Sequence, residues 1–117
     1  MDDWEKKVEN AVDTSLSTEL EDNLIGSESI FIGINHLPTK YVLCVVVERD
    51  SKIVVIGHKE FSTRDDLDTY MEFLRANYKV ENVVEMEDDE YDKHIVFAMA
   101  LAVEAHKQIR PTFHLRK

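Results

Sequence analysis

Carboxylates are the most concentrated chemistry in this chain. Glu85-Met86-Glu87-Asp88-Asp89-Glu90-Tyr91-Asp92 sets six of them in eight positions. Such oxygens suit a hard cation, calcium or magnesium. The run lacks the Asp-x-Asp-x-Asp-Gly spacing and the turn glycine of an EF-hand loop. A plainer use is electrostatic: Asp88, Asp89 and Glu90 ahead of a helix complement its dipole and cap its free amides. The five histidines are scattered, with no His-x-x-x-His or Cys-x-x-Cys pair to nucleate a zinc site. His94 falls four residues after Glu90, on one helix face, and His36 and His58 lie in segments that a sheet can bring together. A surface or structural role is expected for each. Cys44 sits inside an apolar stretch, where burial keeps a thiol inert. No Gly-x-Ser-x-Gly elbow is present, and Gly26, Gly33 and Gly57 are too far apart for a phosphate loop.

The charge has a shape. Twenty-four acids against 14 bases give a net −10 over 117 residues. Residues 1–28 hold nine acids and only Lys6 and Lys7 as bases, and beyond Glu104 the sign reverses through Lys107, Arg110, Arg116 and Lys117. Phosphate binding relies on clustered Lys and Arg, so direct contact with nucleic acid is disfavoured, as are anionic membranes. A basic protein surface is the expected partner. The residues to meet it are Trp4, Val8 and Val12 as apolar anchors beside Glu5 and Glu9, and the second patch Glu87, Asp88, Asp89 and Glu90. One cysteine rules out an intramolecular disulfide and suits a reducing compartment, so a cytoplasmic location is expected. Met1 to Glu5 does not resemble a secretory signal, and the longest apolar stretch, Ile95 to Val103, is nine residues, short of a membrane span.

These side chains need a scaffold, and the patterning supplies one. Residues 1–25 read as an acidic helical segment with Trp4, Val8, Ala11 and Val12 on one face, and Asn23 to Ser29 as a linker. Residues 29–117 read as a single α/β domain. Ile30 to Ile34 is a first strand ended by Asn35 through Pro38. Tyr41 to Val47, apolar throughout, is a central strand. Glu48 to Lys52 is a turn of open type, and Ile53 to Phe61 completes a hairpin. Ser62 or Thr63 caps the next helix, with Asp65 or Asp66 as its capping-box partner, and Leu67, Tyr70, Met71, Leu74 and Tyr78 form its apolar stripe. Val80 to Met86 is a fourth strand, and a helix follows from about Asp89 to Lys107. Its middle, Ile95 to Val103, is apolar on every side, which calls for more than one buried face or an oligomer interface. Ile109 to Leu115 alternates weakly, as an edge strand would. The order α-β-β-β-α-β-α predicts a mixed α+β sheet of four to five strands with helices packed on it.

That order resembles the ribonuclease H-like superfamily, in particular its Holliday-junction resolvases and resolvase-like transposases. The first strand, Ile30-Phe31-Ile32-Gly33-Ile34-Asn35, and the fourth, Val83-Val84-Glu85-Met86-Glu87, carry the resemblance. It implies a phosphodiester chemistry run by two magnesium or manganese ions between carboxylates on strand ends and a later helix. Asn35 stands where the family has its first aspartate. Glu85 or Glu87 corresponds to the fourth-strand glutamate, and Glu104, beside His106, to the helix ligand. An amide carries no charge for a metal, so this set implies a degenerate relative. The leading expectation is therefore a non-catalytic interaction module of the inhibitor, adaptor or immunity type. A nuclease of this superfamily and a homo-oligomeric structural protein are the alternatives.

Overall fold

The computed structural model describes residues 20–25, 28–89 and 93–110. Four strands, β1 (Ser29–His36), β2 (Tyr41–Arg49), β3 (Lys52–Phe61) and β4 (Lys79–Glu87), alternate with two helices, α1 (Arg64–Asn77) between β3 and β4, and α2 (His94–Ile109) after β4. The sheet order is β3-β2-β1-β4. Strands β1, β2 and β3 form an antiparallel meander, and β4 returns parallel to β1. This is a mixed α+β sheet with a helix on each face, as the patterning predicted.

The run Val42 to Val47 is fully buried because both faces of β2 are covered. Ile30, Ile32, Ile34, Leu43, Val45 and Val47 pack with Leu67, Met71 and Leu74 of α1. Phe31, Val42, Cys44 and Val46 pack with Ala98, Ala102 and Ala105 of α2. Leu20 and Leu24 join the α1 side of the core. Their segment is strapped to the end of β2 by Arg49, which donates to both Glu28 carboxylate oxygens (2.8 and 2.7 Å) and to the Asn23 carbonyl (2.7 Å). Trp4, Glu5, Val8, Glu9 and Val12 lie outside the described residues, as does the tail beyond Arg110 with its expected edge strand.

Local chemistry moves several boundaries. Strand β1 runs on to His36 instead of stopping at Ile34, since Asn35 and His36 pair with Val42 and Tyr41 on one side and with Met86 and Glu87 on the other. Glu48 and Arg49 pair with Ile53 and Lys52, which shrinks the hairpin turn to Asp50-Ser51. Both turn residues have positive φ, 54° and 62°, as a type I′ turn requires. Thr63 is the α1 cap, its Oγ1 accepting from the Asp66 amide at 3.1 Å.

Helix α2 starts at His94, not near Asp89, and its N-cap, Lys93, makes no side-chain cap bond. Asp88 and Asp89 therefore do not cap it; the Asp88 amide instead donates to the His36 carbonyl (2.9 Å), prolonging the sheet. The helix lies directly on Gly33. A methyl there would sit 2.7 Å from the Leu101 carbonyl carbon and closer still to the Ala102 amide and the Ala98 carbonyl oxygen. Only glycine on the strand and alanines on the helix allow so close an approach. The apolar helix thus buries one face completely and leaves Val96 57% exposed on the other. Among the described residues, no helix is long and apolar enough to cross a membrane.

Candidate functional site

In open sheets with parallel strands, ligands favour the crevice beyond the carboxyl ends of neighbouring parallel strands whose connections diverge. Here those strands are β1, which turns into β2, and β4, which leads to α2. Two hollows open at their ends. One, of about 520 Å³, is lined by His36, Leu37, Pro38, Glu87, Asp88 and Asp89. The other, of about 250 Å³, runs between Asn35, Met86, Glu87 and Asp88 on the sheet side and Phe97, Ala100 and Leu101 of α2.

Register decides what the strand ends can do. Asn35 is level with Met86, Ile34 with Glu85, and His36 with Glu87. Successive side chains alternate between faces, so Asn35 and Met86 face α2, while Glu85 belongs to the α1 face. Asn35 is 1% exposed, and its Nδ2 donates to the His94 carbonyl at 3.2 Å, anchoring the first turn of α2 to the sheet. Glu85 accepts from Arg64 at the start of α1 (2.5 Å). That bond, against a small cost of burial, raises the Arg64 pKa. Glu104 is exposed on α2 and meets Gln108 Nε2 at 3.5 Å. It lies ten residues along the helix from His94, about 15 Å at 1.5 Å per residue. Of the four residues matched to the nuclease set, Asn35 and Glu87 border the same hollow, whereas Glu85 is held by Arg64 and Glu104 meets Gln108, so the set does not converge as a whole. Among the described residues, no group of three or more His, Cys, Asp or Glu side chains is arranged to hold a metal ion.

The exposed acids Glu87 and Asp89, with Asp88 half-buried beside them, form a carboxylate rim at the end of β4. Glu90 lies outside the described residues. Met86, 58% exposed, stands next to the rim. On the other side of the hollow the His36 ring stacks on Tyr41, centroids 4.3 Å apart. Lys40, Glu60 and His94 close a polar triangle: Lys40 Nζ is 3.0 Å from Glu60 Oε1, His94 Nε2 is 3.3 Å from Glu60 Oε2, and Nζ and Nε2 are 3.4 Å apart. Burial pushes the Glu60 carboxyl up, but the hydrogen bond and charge of Lys40, then those of His94, hold it below the ordinary range. His36 and His58 do not meet. They sit on strands separated by β2, three rungs apart, since His36 is level with Tyr41 and Phe61 whereas His58 is level with Cys44.

A second polar network closes the opposite end of the sheet. His106, fully buried, sits with Nε2 3.0 Å from Glu48 Oε1. Arg110 approaches Glu48 at 3.8 Å and Glu81 at 3.9 Å. The Ser29 hydroxyl donates to Glu81 (2.8 Å) and, with Lys79 and Arg110, keeps that carboxyl below its ordinary pKa despite burial. Glu28, Ser29, Phe31, Glu48 and Arg110 border a hollow of about 320 Å³ there. The sequence sets His106 beside Glu104 and Glu48 in a turn, whereas the fold joins His106 to Glu48. The missed signal was helical spacing: Ala98, Ala102 and Ala105 fall at i, i+4 and i+7, and His106 follows on the same inward face. Its carboxylate partner stabilises a buried ring and ties the end of α2 to β2.

The chain matches no known family model, no characterised protein and no solved structure.

Proposed function

We propose that this chain is a non-catalytic acidic interaction module, of the inhibitor, adaptor or immunity type, that docks on a basic protein surface. One observation carries the reading. Glu85 is held by Arg64 and Glu104 meets Gln108, while Glu87 and Asp89 stand exposed at the rim of the hollows, so the carboxylates serve the surface instead of converging around Asn35. Exposed Met86 beside Glu87 and Asp89 has the make-up of a docking patch, an apolar anchor within a charged rim. The sequence adds Trp4, Val8 and Val12 with Glu5 and Glu9 as a second half of the surface. A cytoplasmic setting belongs to the same reading, since Cys44 is a free, buried thiol.

The test is capture of basic proteins on the immobilised full chain at low and moderate salt, beside the variant E87K/D89K. A charge-steered partner is lost as salt rises and is lost at both salts from the variant. Equal retention by the variant would overturn the assignment.

The second reading is a ribonuclease H-like nuclease, active or degenerate, using magnesium or manganese. The strand order β3-β2-β1-β4 and the position of Asn35 at the end of β1 favour it. Metal-dependent cleavage of branched DNA by the purified chain would establish it over the first.

A further inference from the structure

We infer that the outer face of α2 is the seam of a two-fold homodimer, in which α2 packs antiparallel against its copy. Phe97, Ala100 and Glu104 follow one another at steps of three and four along the helix, and the N-cap Lys93, four residues before Phe97, extends their stripe at its start. Lys93, Ala100 and Glu104 are exposed, Phe97 is half-buried, and Val96 beside them is 57% exposed. Among the described residues neither Lys93 nor Glu104 takes part in an ion pair.

The stripe is complementary to itself. A closed two-fold contact brings one patch against its own reversed copy, so the two ends of the patch must match each other. An axis passing midway between Phe97 and Ala100 sets Lys93 opposite Glu104 of the copy, and Phe97 opposite the copy's Ala100. Each large ring then meets a small residue, and each end closes with opposite charges. Sliding the axis to Ala100 would instead oppose Lys93 to Lys107 and Val96 to Glu104, so the charge pattern selects a single register. An all-basic partner would leave Lys93 facing like charge, and this argues for a second copy as the occupant. The hollow of about 250 Å³ beside Phe97, with exposed Met86 on its rim, continues the apolar surface next to the stripe.

Sedimentation velocity on the full chain over a concentration series reads the association directly. Lys93→Glu and Glu104→Lys each turn two symmetry-related attractions into repulsions and should weaken the dimer about tenfold. The double variant K93E/E104K re-forms both pairs with signs exchanged and should return to within about threefold of the parent. Unchanged thermal melting and near-ultraviolet dichroism separate these effects from misfolding. A second readout is oxidative cross-linking of a mixture of Lys93→Cys and Glu104→Cys chains. The mixture should link far more than either chain alone, against a background in which buried Cys44 is silent. A chain that stays monomeric to about 1 mM, the weak end of specific association, overturns the inference. So does a double variant as weak as the singles, or Lys93→Cys linking to itself as readily as to Glu104→Cys.

Discussion

Gly33→Ala isolates the contact on which one side of the core depends. Gly33 does not have positive φ, so alanine suits its backbone and would even lower the entropy of the unfolded chain. The outcome is therefore set by space alone. The new methyl meets three backbone atoms of α2, at Ala98, Leu101 and Ala102; backbone cannot rotate aside. Reaching ordinary contact requires α2 to lift by about 1 Å, and such a gap forfeits a quarter to a half of each dispersion contact beneath it. Ala98, Ala102, Ala105 and His106 all lose packing, and the 3.0 Å approach of His106 to Glu48 stretches. Overpacking contributes about 1–3 kcal/mol and the weakened buried polar pair about 1–2 kcal/mol more. The expected loss is about 2–5 kcal/mol, a large share of the roughly 5–15 kcal/mol typical of a domain. Gly57→Ala is the control. Its methyl meets the end of the Leu20 side chain at 3.1 Å, which can give, so the change should stay within about 1 kcal/mol. Urea denaturation of both variants at matched slopes measures the difference. A Gly33→Ala loss under about 1 kcal/mol, or one no larger than that of Gly57→Ala, would refute the account of α2 seating.

Other expectations follow from the same contacts. Ser51 has φ 62°, a conformation that costs an ordinary residue and not glycine, so Ser51→Gly should raise stability by about 0.5–1 kcal/mol in urea melts; a loss would mean that the serine hydroxyl matters more than the turn. Asn35→Asp points a carboxylate at the His94 carbonyl oxygen and should cost about 1–3 kcal/mol. Recovery of its melting temperature by magnesium or manganese would instead favour the nuclease reading. The Arg49 hydrogen bonds hold the Glu28 carboxyl below its ordinary range against the opposing effect of burial. A depressed folded pKa means that this stabilisation is complete above the unfolded carboxylate pKa and drains away as pH falls through the lowered value. Urea midpoints measured from neutral pH into that acid range should therefore fall less for Arg49→Met than for the parent. Equal acid sensitivity would remove the Arg49–Glu28 pair from the explanation.

Much of this fold is legible because independent local signals agree. The apolar run of β2 demanded cover on both faces, and the capping threonine, acidic first turn and apolar stripe of α1 all pointed to one helix. Legibility fades where polar residues do structural work. Asn35 and His36 look like loop yet extend β1, because two neighbouring strands satisfy their backbones. Glu48 and Arg49 look like turn, but the turn closes over Asp50 and Ser51 without the Asn-Gly signature. In α2, apolarity cannot reveal the buried face when every side is apolar; size can, through Ala98, Ala102 and Ala105 above Gly33. The candidate site was hardest. Glu85 and Glu87 alternate as a fourth-strand ligand pair would, but only the pairing of Asn35 with Met86 reveals that Glu85 turns to the other face and that Glu87 reaches no further than the rim of the Asn35 hollow.

The position of Cys44 beneath α2 gives the chain a built-in clock. Burial pushes the thiol pKa up to about 12, and the side chain lies in the cluster that α2 seals. Only an excursion that lifts the helix can offer the sulfur to a reagent as thiolate. Under conditions where reclosing outruns modification, the labelling rate gives the free energy of that opening. Set against the global unfolding free energy, it tells whether the last helix leaves by itself or only when the sheet comes apart.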